Sequence, residues 1–334
     1  MERQETILVT GTGGFIGFHL SKELLARGHN VVGVDVFNDY YPVCIKEARS
    51  AELRESRAFT EVRTDLCDGA AFDKIFKDCK IDKVCHLAAQ AGVRYSLSHP
   101  MVYEESNLKA FLNVLESVRH NKVQKLVYAS SSSVYGGNTK VPFAESDRVD
   151  NPVSLYAATK KANELMAHAY SHLYKFQTIG LRFFSVYGTW GRPDMALWIF
   201  TEKIIRGEKI KVFNHGKMKR DFTYVGDIVK GICGALFTEG LEQAEIFNLG
   251  NHRSENLMDM ISIIEKEVGR DAVKEMCPLQ PGDVPESFAD IELAQRKLGF
   301  SPTTPISVGI PEFVRWYKEH SVLTEEVIKS RRND

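Results

Sequence analysis

The 334-residue sequence lacks the features that mark several large classes of protein. Lys and Arg number 43 against 44 Asp and Glu, so the net charge is -1 and no positive excess is present to attract nucleic acid or an anionic membrane. No run of 18 apolar residues occurs, and the first apolar stretch, Ile7 to Val9, is soon broken at Gly11. We therefore expect no nucleic-acid partner, no membrane partner and no secretion signal.

Cysteine is present, but it has no pattern. The six cysteines form no CxxC pair, which argues against a disulfide framework and a zinc site; they are Cys44, Cys67, Cys79, Cys85, Cys233 and Cys277. His168 and His172 stand one helical turn apart, but no Glu lies between them and no third ligand is evident. The sequence predicts a reduced, cytoplasmic protein without a metal.

Short β-branched runs alternate with helix-like segments through the first half of the chain. The predicted strands are Thr6 to Thr10, Val31 to Asp35, Glu61 to Thr64, Lys83 to Leu87, Lys125 to Ser130 and Thr178 to Phe183. Such alternation predicts right-handed βαβ crossovers and a parallel sheet. The expected fold is α/β, a Rossmann-type doubly wound parallel sheet followed by a smaller mixed α/β C-terminal substrate-binding region.

The first predicted strand runs directly into a glycine-rich turn. Glycines occupy positions 11, 14 and 17, Phe15 and Ile16 separate the last two, and a helix-like segment follows. The first strand-to-helix turn of a doubly wound sheet needs glycine because a pyrophosphate has to approach both the backbone and the helix N-terminus. We therefore predict a dinucleotide site formed by Gly11, Phe15, Ile16 and their neighbours Gly14 and Gly17.

Two acidic residues bear on which dinucleotide binds. Asp35 ends the second strand, where a carboxylate accepts hydrogen bonds from the adenosine ribose and repels a 2'-phosphate. This predicts NAD rather than NADP. Asp65 follows the third strand and either binds the adenine amine or caps a helix before Leu66, and the sequence leaves both alternatives open.

A tyrosine and a lysine form the predicted catalytic pair. Tyr156 and Lys160 are four residues apart, so both side chains project from one face of a helix. A serine run, Ser130 to Ser133, closes the fifth strand, and ligands of open α/β sheets bind at such carboxyl ends. A lysine ammonium and a positive nicotinamide would lower the pKa of the phenol from about 10, which would make Tyr156 a general base.

Four segments carry a resemblance to a known superfamily. TGTGGFIG at 10–17, HLAA at 86–89, Ser131 with VYG at 134–136, and Tyr156 with Lys160 resemble the extended short-chain dehydrogenases/reductases. Within that superfamily, AGVRYS at 91–96, YGTWGRPDM at 187–195 and NHGKMKRDF at 214–222 are similar to the NAD-dependent epimerases of nucleotide-sugar uronates. The resemblance covers nearly the whole chain.

The resemblance implies reversible C4 epimerisation of UDP-glucuronate to UDP-galacturonate through a transient 4-keto sugar, with NAD kept bound between turnovers. It implies that Ser131 assists Tyr156 and that Lys160 also binds the cofactor. The implied cofactor residues are Gly11, Gly14, Phe15, Ile16, Gly17, Asp35, Asp65, Leu66, Ala88 and Lys160. The implied substrate residues are Arg94, Ser131, Ser132, Ser133, Tyr156, Ser185, Arg192, Phe213, Arg220 and Asp283.

The chemical groups of the substrate suggest a separate role for each set of predicted substrate residues. A 4-keto uronate is a β-keto acid that loses carbon dioxide readily, so an epimerase has to hold the carboxylate in an unproductive orientation. The serines at 131, 132, 133 and 185 can donate to it, with Arg94 or Arg192 as cationic partners. Arg192 and Arg220 suit the phosphates or ribose, and Phe213 suits the flat face of uracil.

Other functions remain open at this point. A UDP-glucuronate decarboxylase shares the first oxidation and differs in how the carboxylate is held, and a UDP-hexose 4-epimerase shares the whole cycle. A 4,6-dehydratase is disfavoured because it needs an acidic pair where Ser132 and Ser133 stand. An NAD-binding sensor or scaffold without turnover would be expected to lack Ser131, Tyr156 or Lys160, and all three are present.

The predicted domain organisation rests on a change in the sequence pattern near residue 184. After this point the predicted strands and helices are shorter, and glycine and proline interrupt them. We predict an NAD-binding domain over 1–184, with 221–250 returning to it. We predict a nucleotide-sugar-binding region over 185–220 and 251–328 and a flexible tail over 329–334. The predicted helices around 107–119 and 165–173 resemble the four-helix contact of homodimers in the family.

Overall fold

The structure is a computed structural model that describes residues 3–280 and 284–332. The strands in chain order are β1 Thr6–Thr10, β2 Asn30–Asp35, β3 Phe59–Arg63, β4 Lys83–His86, β5 Lys125–Ser131, β6 Gln177–Phe183, β7 Ser185–Tyr187, β8 Lys209–Val212, β9 Lys219–Arg220, β10 Phe222–Tyr224, β11 Ala244–Leu249, β12 Glu255–Asn256, β13 Val273–Met276 and β14 Glu286–Ser287. No helix in these ranges is long and apolar enough to cross a membrane.

The helices connect the strands and cover both faces of the main sheet. They are α1 Phe15–Ala26, α2 Val43–Arg54, α3 Gly69–Asp78, α4 Tyr95–Ser98, α5 Pro100–Tyr103, α6 Ala110–His120, α7 Leu155–Tyr174, α8 Ala196–Arg206, α9 Val225–Phe237, α10 Leu257–Val268, α11 Glu292–Leu298, α12 Ile306–Glu319 and α13 Ser321–Arg332. A π-helical segment, Glu104–Lys109, precedes α6, and a 3₁₀ turn, Ser132–Tyr135, follows β5.

The main sheet has seven parallel strands in the order β11-β6-β5-β4-β1-β2-β3. Side chains of one strand alternate between its faces, so Ile7 and Val9 enter one apolar core while Leu8 enters the other. The strand order reverses beside β1, which is where such sheets bind ligands. The predicted α/β doubly wound fold is confirmed.

Smaller sheets follow the sixth strand. β7 pairs with β10, β8 pairs with β13, and β12, β9 and β14 form a third small sheet. β11 lies in the main sheet next to β6, although it is separated from it in sequence by β7 to β10. The division into an NAD-binding domain and a nucleotide-sugar-binding region remains a prediction about function.

Two local predictions need correction. The flexible tail was wrong for 329–332, because α13 continues to Arg332. Val327 and Ile328 are buried there, and Arg331 pairs with Glu202 on α8, which fixes the last turns despite their polar sequence. The last two residues lie outside the described part of the chain. β3 also begins earlier than predicted, at Phe59, whose ring packs over the bare backbone of Gly33.

Candidate active site

The turn between β1 and α1 has no room for side chains at its glycines. A Cβ on Gly17 would lie 2.1 Å from the carbonyl oxygen of Gly11, and Gly11 itself has a positive φ of 81° beside the backbone of Ala88. Helix α1 begins after Gly14, which offers no side-chain acceptor to the first N–H groups. The turn is therefore a backbone-lined cradle that fits the pyrophosphate of a dinucleotide.

Asp35 is held at the edge of this cradle by two backbone donors. One carboxylate oxygen accepts from the N–H of Gly13 at 3.0 Å, and the other accepts from the N–H of Phe37 at 2.8 Å. Each oxygen can accept more than one hydrogen bond, so the fixed carboxylate retains capacity for the ribose hydroxyls.

Asp65 plays a different local role from the helix cap considered above. Helix α3 is capped by Asp68, whose side chain accepts from Ala71, so the helix-cap alternative for Asp65 is wrong. Its carboxylate instead accepts from the N–H of Cys67 at 2.8 Å and stabilises the turn after β3. Asp65 nevertheless lines the same cavity as Asp35.

The structure gathers the predicted cofactor residues around one cavity, which we name the glycine-loop cavity. It is lined by Gly11, Gly14, Phe15, Ile16, Gly17, Asp35, Asp65, Leu66, Ala88 and Lys160, and also by Ser131, Tyr156 and Arg192. The geometry of the cradle and the fixed carboxylate suit NAD. The individual roles of these residues toward the cofactor remain proposals.

Tyr156 and Lys160 lie one turn apart on α7, beside the end of β5. Ser154 caps the helix by accepting from the N–H of Ala157 at 3.1 Å, and this fixes where the helix begins. Lys160 is buried and donates to the carbonyl of Ala129 at 3.0 Å, and burial lowers its pKa to about 8. The helix thereby places both side chains against the serine strand.

The protein alone raises the pKa of Tyr156. Burial is the largest cause, and it outweighs the hydrogen bond with the Ser131 side chain and the positive charge of Arg192, both of which lower the pKa. The lowered pKa expected from the sequence is therefore not produced by the protein by itself. The expectation also included the charge of a bound nicotinamide, so it stays a prediction for the enzyme with its cofactor.

A buried polar network lies behind the catalytic helix. Arg182 on β6 forms a two-point ion pair with Glu164 on α7, at 2.8 and 2.9 Å, and Ser130 donates to the same carboxylate at 2.7 Å. Arg182 also donates to the hydroxyl of Tyr135 at 3.0 Å. The network joins α7 to β5 and β6, which fixes the position of Tyr156 relative to Ser131.

Asn107 is an anchor of the same helix. Its side-chain amide donates to the carbonyl of Gln90 at 3.0 Å and to the hydroxyl of Thr159 at 3.1 Å, and the backbone carbonyl of Asn107 accepts from the side chain of Asn163 at 2.7 Å. These contacts tie the loop after β4 to both sides of Lys160. Asn107 therefore supports the position of α7.

A second cavity adjoins the first, and we name it the adjoining cavity. Its lining includes five of the predicted substrate residues, Arg94, Ser185, Arg192, Phe213 and Arg220. The Arg94 guanidinium lies over the ring of Phe213, 5.0 Å from its centroid, so the predicted cationic and aromatic groups form one unit. Arg192 lines both cavities and pairs with Asp194.

Three predicted substrate residues are placed less directly. Ser133 donates to the Ser131 oxygen at 2.9 Å and stands behind it. Within the described ranges, neither Ser132 nor Ser133 belongs to the lining of either cavity. Asp283 lies outside the described residues.

Sequence reasoning missed three residues around the glycine-loop cavity. Lys46 and Arg49 are buried one turn apart on α2, and Tyr40 lines both cavities. Lys46 donates to the backbone carbonyl of Asn38 at 2.6 Å, and burial lowers its pKa to about 8. Two cations at helical spacing shortly after Asp35 were the available signal, but cations on a helix usually face solvent.

Comparison with known proteins agrees with this site. The model of the NAD dependent epimerase/dehydratase family matches residues 7–250. The chain belongs to this family. Among its relatives are protein CapI of Staphylococcus aureus, 49% identical over 94% of this chain and 98% of that protein, and UDP-glucuronate 4-epimerase 4 of Arabidopsis thaliana, 48% identical over 93% of this chain and 75% of that protein.

A solved structure of the family extends the likeness to the whole fold. UDP-glucuronic acid 4-epimerase from Bacillus cereus, in complex with UDP-glucuronic acid and NAD, is 34% identical and superposes with a TM-score of 0.89. The alignment covers 94% of this chain and 99% of that one. Epimerase family membership and NAD as cofactor, both expected from the sequence, are confirmed.

Proposed function

We propose that this epimerase interconverts UDP-glucuronate and UDP-galacturonate by inverting C4. The observation that carries the proposal is the placement of Tyr156 and Ser131 in the wall of an NAD-type cradle that adjoins a cavity lined by cations and an aromatic ring. Relatives named UDP-glucuronate 4-epimerase, and the Bacillus cereus enzyme with UDP-glucuronic acid bound, support the choice of substrate.

The chain's own residues supply the proton chemistry. Tyr156 takes the proton of the sugar 4-hydroxyl, either directly or through its hydrogen-bonded partner Ser131. When bound, NAD would supply the group that takes up the C4 hydride and gives it back to the 4-keto sugar. The hydrogen bond with Ser131 and the positive charge of Arg192 favour the phenolate of Tyr156. Lys160, buried one turn further along α7, would bind the cofactor. No net oxidation occurs, so one cofactor serves successive turnovers.

The adjoining cavity would hold the nucleotide. We assign the phosphates or ribose to Arg192 and Arg220, and the uracil ring to Phe213, which Arg94 backs with its guanidinium. The uronate carboxylate would lie near Ser131 and Ser185, whose hydroxyls donate to it and keep it out of alignment with the 4-keto group. Loss of carbon dioxide is thereby suppressed.

Proton NMR of UDP-glucuronate with the purified protein, without added NAD, tests the proposal. The expected result is the anomeric signal of UDP-galacturonate, with no loss of carbon. UDP-xylose or its 4-keto precursor would instead identify a decarboxylase, and conversion of UDP-glucose alone would identify a hexose epimerase. Unchanged UDP-glucuronate in a protein that contains bound NAD would favour the alternative of an NAD-binding scaffold without turnover.

We also propose a homodimer through α6 and α7. The two helices are joined by a hydrogen bond from Tyr170 to Glu116 at 2.7 Å. Exposed apolar side chains lie along them, at Leu112, Leu165 and Leu173. Sedimentation velocity should show a dimer for the native chain and a monomer for Leu165→Glu, and an unchanged sedimentation coefficient would contradict this contact.

The proposed location is the cytoplasm. No disulfide joins any of the six cysteines in the described part of the chain, although Cys85 and Cys233 are both buried in the same core. Cysteines without disulfides suit a reducing compartment. Fractionation of the source cells, with an antibody against the chain, tests this location.

A further inference from the structure

A buried arginine on α2 joins the glycine turn to the segment before Arg192. The side chain of Arg49 is inaccessible to solvent. Its Nη1 donates to the carbonyl of Gly13 at 2.7 Å, and its Nη2 donates to the carbonyl of Trp190 at 2.7 Å. A longer contact of 3.3 Å reaches the carbonyl of Gly191. One guanidinium therefore spans the cofactor turn and a segment of the adjoining cavity.

The bonding of Arg49 differs from that of the other fully buried arginine considered above. Arg182 is neutralised by the carboxylate of Glu164, whereas the acceptors of Arg49 among residues 3–280 and 284–332 are three backbone carbonyls and the hydroxyl of Tyr41. A buried cation without a carboxylate partner is costly unless hydrogen bonds satisfy it. Arg49 lies between the glycine turn and the segment that precedes Arg192, and its charge is satisfied by neutral acceptors of both.

The segment that Arg49 holds has a strained backbone. Trp190 has a φ of 56°, which is unusual for a bulky residue and persists only when the surroundings fix it. The preceding carbonyl, of Thr189, accepts from Nε2 of His19 at 2.8 Å, and burial lowers the pKa of His19 to about 4, so the ring is neutral. Side chains of α1 and α2 thus hold three consecutive carbonyls, 189 to 191.

The position of Arg192 follows from this arrangement. It comes directly after the held carbonyls and lines both cavities. If cofactor binding shifts the glycine turn, the carbonyl of Gly13 moves with it. Arg49, which donates to that carbonyl, then transmits the movement to the backbone from which Arg192 projects. The connection is short, continuous and buried.

We propose that Arg49 is a positioning residue that couples occupancy of the NAD cradle to binding of the UDP-sugar through Arg192. The identity of the sugar rests on the proposed function, but the coupling itself needs no turnover. Such coupling is reciprocal, so bound UDP should raise the affinity for NAD by the same factor by which bound NAD raises the affinity for UDP. Where the association rate of NAD is unchanged, UDP should slow the dissociation of NAD by that factor.

The test is exchange of radiolabelled NAD from the holoenzyme, with and without saturating UDP. Coupling factors usually lie between about 5 and 150, and we expect UDP to slow release in the native enzyme by about tenfold. Arg49→Lys keeps a positive charge but cannot span both carbonyls, so the ratio should fall close to one. In the turnover assay, the same variant should raise the KM for UDP-glucuronate more than it lowers kcat.

Arg331→Lys is the matched control. Arg331 on α13 contacts the chain on the other side of Arg192, through the carbonyl of Pro193 at 3.2 Å, and pairs with Glu202, but its contacts in the described residues do not include the glycine turn. This variant should keep the effect of UDP on NAD release. The proposal is overturned if Arg49→Lys retains the native ratio, or if both variants lose it equally.

A measurement on the native holoenzyme covers the case in which Arg49→Lys does not fold. UDP should reduce deuterium uptake by the backbone of 11–14, a turn whose Gly11 and Gly14 line the glycine-loop cavity and of which no residue lines the adjoining one. Unchanged uptake there would overturn the coupling. UDP binding and NAD exchange are measured without catalysis, so failure of the epimerase reaction would be recognised separately by NMR.

Discussion

The two cavities of this epimerase are built in different ways. The glycine-loop cavity is formed mainly at the ends of neighbouring parallel strands and by the turns that follow them, such as Gly11 after β1 and Asp35 at the end of β2. The adjoining cavity draws Arg94 from the loop after β4, Ser185 from β7, Phe213 from the turn after β8 and Arg220 from β9. The first depends on one regular sheet, whereas the second depends on how distant loops pack.

This difference predicts different consequences of mutation. A side chain added at Gly11 or Gly17 of the turn would collide with backbone atoms, which cannot move aside as a side chain can. Such a substitution should therefore abolish cofactor binding. A substitution in the adjoining cavity is surrounded by side chains that can repack. It should therefore weaken substrate binding by a smaller factor than a substitution in the glycine turn weakens cofactor binding. The reacting groups Ser131, Tyr156 and Lys160 line the glycine-loop cavity, and only their loss should affect chemistry alone.

The largest expected effect is that of Tyr156→Phe. Removing the general base should lower kcat by about 100- to 10,000-fold while bound NAD and the affinity for UDP are retained. Tyr128→Phe is the control, because Tyr128 is buried on the same strand as Ser131 but lines neither cavity. Full NMR-detected epimerisation by Tyr156→Phe would contradict the proposed mechanism.

Gly17→Ala tests the rigidity of the cofactor side. Its Cβ would overlap the Gly11 carbonyl, so we expect a loss of about 1–3 kcal/mol in unfolding free energy and the loss of most bound NAD. Gly137→Ala is the matched substitution, since its Cβ would lie 3.9 Å from Val153. NAD content after acid release, with denaturant unfolding, measures both effects, and a native NAD content in Gly17→Ala would contradict the cradle.

Acid should destabilise the sheet that carries the cofactor side. Burial lowers the pKa of His86 from 6.5 to about 3, so below pH 6.5 the unfolded chain takes up a proton that the folded chain refuses. Stability from this group is present above pH 6.5 and is lost as pH falls, by about 2 kcal/mol at pH 5. The free energy of unfolding by denaturant is measured above pH 6.5 and at pH 5 for the native chain and for His86→Asn. The variant should lose less stability between the two conditions, and equal losses would contradict this assignment.

The smallest effect is expected in the adjoining cavity, from Phe213→Leu. Loss of the aromatic face and of the Arg94 contact should raise the KM for UDP-glucuronate by about 2- to 10-fold, with kcat nearly unchanged. Phe237→Leu removes a comparable pair, in which Lys83 lies 4.7 Å from the ring centroid, far from either cavity in the fold. Its KM should remain native, and an equal rise in both variants would show that the effect is not local.

Much of the cofactor side could be predicted because its signals are local. Gly11, Asp35 and Lys160 each stand at a fixed place relative to a strand or helix that the sequence pattern already indicates. The adjoining cavity was predicted only as a set of residues taken from a resemblance. That Arg94 lies over Phe213, residues far apart in the chain, has no signature in either segment.

The failures have equally specific causes. The tail after residue 328 is polar in sequence, but the helix that contains it is fixed by buried Val327 and Ile328. β3 begins at Phe59 and not at Glu61, because the Phe59 ring packs over Gly33. Burial and packing partners are properties of the folded chain, so composition could not reveal them.

The sequence by itself determined the parallel sheet, the glycine cradle and the Tyr156–Lys160 pair, because each depends on residues close together in the chain and on the geometry of one strand or helix. Only the tertiary structure decided that Arg49 would be buried between Gly13 and Trp190, and that Arg192 would line two cavities. Those positions depend on contacts across 36 and 141 residues. Packing of the whole chain, rather than any local preference, fixes them.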